Sequence, residues 1–91
     1  MSKQIAIRCY ISGKVQGVWF RANTKKQADQ LQITGWAKNL PDGRVEVVAY
    51  GDVAAIRQLH AWLKQGPELA IVSEVTYEEL DWQKKDDFVV M

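Results

Sequence analysis

Apolar side chains occupy every second position of the opening stretch QIAIRCYIS. Ile5, Ile7, Cys9 and Ile11 alternate with Ala6, Arg8, Tyr10 and Ser12. A period of two predicts a strand with one buried face. A loop from Gly13 to Phe20 follows. The next residues, ANTKKQADQLQ, lack Gly and Pro and predict a helix from about Arg21 to Leu31. Its inner face would carry Ala28 and Leu31, with Thr24 beside Ala28 at i, i+4, while Lys25, Lys26, Asp29 and Gln30 face water. ITGWAKNL reads as a short strand, and Pro41, Asp42 and Gly43 supply a turn: proline fixes φ and glycine tolerates a positive φ. RVEVVAYG is then its antiparallel partner in a hairpin.

Asp52 is placed to cap a second helix, in which Val53, Ile56, Leu59 and Leu63 recur at spacings of three and four. Gly66 and Pro67 end that helix. In AIVSEVTYEEL, Ile71, Ser73, Val75 and Tyr77 alternate with Val72, Glu74, Thr76 and Glu78, which predicts a fourth strand. DFVVM has the composition for a short fifth. No internal repeat, linker or low-complexity segment interrupts the order β-α-β-β-α-β. That order predicts an α+β sandwich of the ferredoxin-like type, an antiparallel sheet with two helices on one face.

The length of 91 residues suits one domain, whose core would remove roughly 60 to 65% of the unfolded surface from water. Apolar content of 47% and charged content of 25% are those of an ordinary globular chain, not a disordered one. No apolar run reaches the roughly 18 residues of a membrane span, and Met1 to Gln4 lead into the first strand without a signal-peptide core. The cytoplasm is the expected location. A single cysteine, Cys9, excludes an internal disulfide or a cysteine metal cluster, and it is expected to pack as a small hydrophobe. His60 is the sole histidine and is expected on a helix surface. The net charge of +1 conceals a basic first half: Lys3, Arg8, Lys14, Arg21, Lys25, Lys26, Lys38 and Arg44 against Asp29 and Asp42 through residue 44. Such a half suits an anionic ligand, although solvated charge explains it equally.

The chemistry concentrates in GKVQGVWFR, residues 13–21. Arg21 falls in the first turn of the predicted helix, where a cation opposes the helix dipole by a few tenths to about 1 kcal/mol. A bound anion would offset this. A glycine-containing loop between a strand and a helix N-terminus can point successive main-chain N–H groups into one concavity suited to an oxyanion. Gly13 and Gly17 permit the backbone angles; Gln16, Gly17, Val18, Trp19, Phe20 and Arg21 could supply the donors, and the Arg21 guanidinium is a planar fork for phosphate oxygens. The same two glycines could instead merely close a turn. No Gly-Lys-Ser/Thr follows, so the loop is not a Walker A motif. A second stretch, GWAKN at residues 35–39, ends in Asn39 just before the turn, where asparagine often bonds its own backbone.

Together, GKVQGVWFR and GWAKN resemble the two signatures of the acylphosphatase family, Gly-x-Val-Gln-Gly-Val-x-Phe-Arg and Gly-aromatic-x-x-Asn. The similarity continues through DGRVEVVAYG, WLKQGP and the closing strands. The family's ferredoxin-like fold agrees with the order of elements. Carried over by residue, the resemblance implies a phosphate cradle at Gln16 to Arg21, an essential arginine at Arg21 and a water-positioning asparagine at Asn39. It implies hydrolysis of carboxyl-phosphate anhydrides such as acetyl phosphate, carbamoyl phosphate or 1,3-bisphosphoglycerate, with no metal and no cofactor. Trp19 occupies the variable place in the first signature, either lining the mouth of the site against the acyl group or packing beside loop neighbours. DFVVM departs from the Phe-x-Ile ending common among relatives.

The expected partners are therefore an acyl phosphate and inorganic phosphate, with no nucleic acid, no membrane and nothing demanding more than a monomer. The alternative reading is a non-enzymatic module binding phosphate or carbamoyl phosphate. RNA-recognition motifs share the β-α-β-β-α-β order, but they place a Lys/Arg-Gly-aromatic run in the third strand, and GRVEVVAYG has none.

Overall fold

The computed structural model of the protein describes residues 3–91; the expected lead-in at Met1 and Ser2 lies outside the described residues. Strand β1 spans Gln4–Lys14, helix α1 Phe20–Gln30, β2 Thr34–Asn39, β3 Val45–Asp52, helix α2 Val53–Gln65, β4 Ile71–Val75, β5 Glu78–Leu80 and β6 Phe88–Val90. The sheet order is β4-β1-β3-β2-β6, and β5 joins β1 beside β4. Pairing is antiparallel except for β6, which lies parallel to β2. The expected ferredoxin-like sandwich is the observed one.

One face of the sheet is apolar because the period-two pattern puts Ile7, Cys9 and Ile11 of β1 on the same side as Val45, Val47 and Ala49 of β3. Helix α1 closes this core with Phe20, Thr24 and Ala28, and α2 with Ile56, Leu59 and Leu63. Burying each large aliphatic or aromatic side chain here contributes about 1.5–3 kcal/mol. Thr24 is tolerated in the core because its hydroxyl donates a 2.8 Å hydrogen bond to the Phe20 carbonyl one turn earlier. The other face carries a smaller cluster: Ala6, Val48 and Tyr50 are buried under Trp36 and Leu80. Ala6, expected on the exposed side of β1, is thus buried, and β3 is covered on both faces.

Three local expectations differ from the structure. Asp52 stands at the N-cap of α2, but its side chain makes no capping bond; the first helical N–H, of Val53, donates instead to the Lys3 carbonyl at 2.9 Å. The predicted fourth strand is two short ones. It breaks at Thr76 and Tyr77, where the Thr76 hydroxyl accepts from the Tyr10 N–H and the Thr76 N–H donates to the Tyr10 carbonyl, both at 3.0 Å. Lys25, expected to face water only, bonds the Phe88 carbonyl at 2.9 Å and Asp29 at 3.1 Å, tying α1 to β6. The single cysteine and histidine sit away from solvent to different degrees. Cys9 is fully buried, and His60 is half-buried with its ring 4.8 Å from that of Tyr77.

Candidate active site

The loop between β1 and α1 is shaped by where its apolar residues must go. Val15, Val18 and Phe20 are buried in the core, which leaves Gln16, Gly17, Trp19 and Arg21 toward the surface. Before the loop, the β1–β4 register shifts between Ser12 and Gly13, and Gly13 takes φ 122°. A Cβ there would lie 2.1 Å from the Ile71 carbonyl oxygen, so the strand can approach its neighbour at this bulge only through a glycine. Gly17 at φ 74° and Trp19 at φ 64° then reverse the peptide planes twice before α1 starts. Such alternation turns N–H groups toward a common side.

Trp19 is the N-cap of α1, whose first residue, Phe20, comes one earlier than the helix was expected to begin. Its carbonyl is held by Asn23, whose main-chain N–H donates at 3.0 Å and whose side-chain amide donates at 2.9 Å. The left-handed backbone is therefore pinned, while the indole projects outward, 74% exposed. Among the described residues, no main-chain or side-chain group accepts a hydrogen bond from the N–H groups of Gln16 to Arg21. Unpaired N–H groups at a helix N-terminus are a ready anion site.

Beside this loop lies a cavity of about 320 Å³ lined by Val15, Gly17, Trp19, Phe20, Arg21, Ala22, Asn39 and Val90. It unites Arg21, from the first turn of α1, with Asn39, from the end of β2, where Asn39 pairs with Val45 of β3. Arg21 Nη1 donates to the main-chain oxygen of Met91, which holds the guanidinium at the cavity wall. Of the residues expected from the signatures, Gly17, Trp19, Phe20, Arg21 and Asn39 line the cavity. Gln16 and Val18 do not. The Val18 side chain is buried, and the Gln16 side-chain amide donates to the carbonyls of Leu40 at 2.8 Å and Arg44 at 2.9 Å. Gln16 thus grips the base of the β2–β3 turn immediately after Asn39.

Three lining residues were not anticipated: Val15, Ala22 and Val90. Val15 and Ala22 adjoin the signature residues, so their chain position was a usable signal. Val90 reaches the site only because β6 adds to β2 in parallel, with Ala37 opposite Val90. Nothing in the local pattern of DFVVM announces that neighbour.

A ferredoxin-like sandwich thus brings a glycine-containing loop, an arginine at a helix N-terminus and a strand-end carboxamide to one cavity. A sequence model described as Acylphosphatase matches residues 7–90. An acylphosphatase of Legionella pneumophila strain Corby is 52% identical over 91 residues, covering all of both chains. The solved acylphosphatase of Coxiella burnetii superposes with a TM-score of 0.93 at 46% identity, over 97% of this chain and 93% of the other. That of Bacillus subtilis gives 0.93 at 31% identity, over 96% and 98%. The chain belongs to the acylphosphatase family, enzymes that hydrolyse acid anhydrides.

Proposed function

We propose that the chain hydrolyses carboxyl-phosphate anhydrides, with the phosphoryl group held by main-chain N–H groups of Gln16 to Arg21 and by the Arg21 guanidinium, and the attacking water aimed by Asn39. One observation carries this reading: the loop residues Gly17, Trp19 and Phe20, whose N–H groups have no acceptor among the described residues, line a single cavity with Arg21 and Asn39. The N–H groups and the guanidinium spread the negative charge on the equatorial oxygens of the transferring phosphoryl group. A guanidinium matches two of those oxygens at once, and Met91 anchors it before substrate arrives.

Asn39 is neutral near pH 7 and is not a base. Its amide oxygen accepts a hydrogen bond from water and its NH₂ can donate, so its contribution is to place that water in line with the leaving oxygen. The water oxygen forms a bond to phosphorus as the bond from phosphorus to the acyl oxygen breaks. The electron pair leaves on a carboxylate, and the proton of the water ends on phosphate or solvent. A departing carboxylate has a conjugate acid with a pKa of roughly 4 to 5, close to Asp and Glu side chains, so no general acid is needed. This accounts for a site without histidine, cysteine or paired carboxylates.

The radius of gyration of 12.0 Å is that of one compact unit, for which about 12 Å is expected at this length. Among the described residues no helix is long and apolar enough to cross a membrane. On this reading the enzyme is a single domain that works as a monomer in the cytoplasm, on substrates of the class of acetyl phosphate, carbamoyl phosphate or 1,3-bisphosphoglycerate, without metal or cofactor.

The test is turnover of benzoyl phosphate against p-nitrophenyl phosphate, each with and without EDTA. Rapid release of benzoate, unaffected by chelation, with little or no release of nitrophenol is expected. Equal rates on the two compounds, or a strict requirement for added metal, would contradict the mechanism.

A further inference from the structure

Beyond the phosphoryl site, the same cavity holds a wall that the phosphate mechanism does not use. Ala22 and Val90 give it accessible apolar side chains, Val15 and Phe20 lie behind it in the core, and Trp19 stands at its edge. Trp19 is flanked in sequence by two buried residues, Val18 and Phe20, yet leaves most of its large ring in water. Asn23 clamps the Trp19 carbonyl and so fixes the backbone from which the ring projects. A tryptophan held out of the core beside a cavity is an open stacking surface.

The cavity is also larger than its proposed phosphoryl guest. Its volume of about 320 Å³ corresponds to roughly ten waters at the liquid's share of about 30 Å³ each. A phosphoryl group with its oxygens accounts for fewer than half of these. The remaining space has no second cation: among the lining side chains Arg21 alone is charged and Asn39 alone is neutral and polar, apart from the indole N–H. A second anionic group placed there would lose water without gaining a partner.

We propose that this wall is an acyl subsite, with Trp19 and Val90 selecting acyl phosphates whose acyl group is neutral and apolar, aromatic above all, over those carrying a second charge. The proposal rests on the acyl-phosphate reading above and makes Trp19 a specificity residue. It ranks the substrate class: within that reading, acyl groups bearing an additional phosphate or carboxylate are the poorer substrates.

The experiment compares benzoyl phosphate, 4-carboxybenzoyl phosphate and acetyl phosphate in the wild type, Trp19→Gly and Trp19→Phe. Glycine accepts the left-handed backbone at position 19, so Trp19→Gly removes the ring without adding strain. The ratio of kcat/KM for benzoyl over acetyl phosphate is expected to fall about tenfold in Trp19→Gly, the scale of one aromatic contact. Trp19→Phe should recover most of the ratio. In the wild type, 4-carboxybenzoyl phosphate should be at least tenfold poorer than benzoyl phosphate. An unchanged ratio in Trp19→Gly, or equal use of the two benzoyl compounds, overturns the acyl subsite while leaving the phosphoryl site standing. No turnover of any of the three by the wild type overturns both.

Discussion

The side-chain amide of Gln16 donates a 2.8 Å hydrogen bond to the carbonyl of Leu40, the residue that follows Asn39. Its second bond, to the Arg44 carbonyl at 2.9 Å, reaches the far side of the turn that leads from Asn39, the last residue of β2, into β3. The β1–α1 loop and the strand end that carries Asn39 are therefore linked by one side chain. Gln16→Ala keeps the main-chain N–H but removes both bonds, each contributing about 0.5–1.5 kcal/mol. We expect kcat for benzoyl phosphate to fall about tenfold, with inhibition by inorganic phosphate changed less than about threefold. Equal losses in both would mean that Gln16 only supports the loop.

Gly13 and Gly17 both have positive φ but face different surroundings. A methyl group on Gly17 meets nothing within 4 Å, so Gly17→Ala costs only the left-handed backbone, roughly 1–2 kcal/mol. On Gly13 it would meet the Ile71 oxygen at 2.1 Å and the Ser73 nitrogen at 2.8 Å, forcing β1 and β4 apart. Urea unfolding should show Gly13→Ala less stable than Gly17→Ala by at least about 1–3 kcal/mol, the usual cost of forced overpacking. Similar midpoints for the two variants would show that the bulge relaxes freely.

Burial pushes the Cys9 thiol up to about 12. At pH 8 about one molecule in ten thousand would then carry the reactive thiolate, and that one is sealed in the core. Ellman's reagent should label the native protein only as fast as it unfolds, and the urea-unfolded protein at once. A rapid labelling phase in the native state would show that β1 opens locally.

The His60 imidazole titrates below its ordinary 6.5, first because burial disfavours its charged form and second because Lys64 lies near. The unfolded chain therefore binds more protons than the folded one as pH drops below about 6.5. His60's share of stability is complete above that pH and is lost as pH falls through its lower, folded value. Chemical-shift titration should place the imidazole midpoint below 6.5, and His60→Gln should flatten the stability slope just under pH 6.5. A midpoint above 6.5 would contradict the burial against Tyr77.

Much of this was legible in the chain because the signals were local. Ile7, Cys9 and Ile11 announce a buried strand face, Ile56, Leu59 and Leu63 a helix stripe, and the two signatures bring Arg21 and Asn39 to one cavity. What escaped depends on contacts between distant residues. The split of the fourth strand follows from a bond between Tyr10 and Thr76, the vacant capping role of Asp52 from the Lys3 carbonyl, and the place of Val90 from parallel pairing with β2. The side chain of Gln16 is similar: its position in the loop suggests a ligand contact, whereas its direction is set by carbonyls 24 and 28 residues away.

The central claim divides the work between a group that holds phosphate and a group that aims water. Asn39→Ala, measured for benzoyl phosphate turnover and for competitive inhibition by inorganic phosphate on the same preparation, tests that division most directly. A fall in kcat of about a hundredfold or more, consistent with losing the alignment of the attacking water, with phosphate inhibition within about threefold of wild type, is the predicted result. Near-normal turnover in Asn39→Ala, or loss of phosphate inhibition together with turnover, would contradict it.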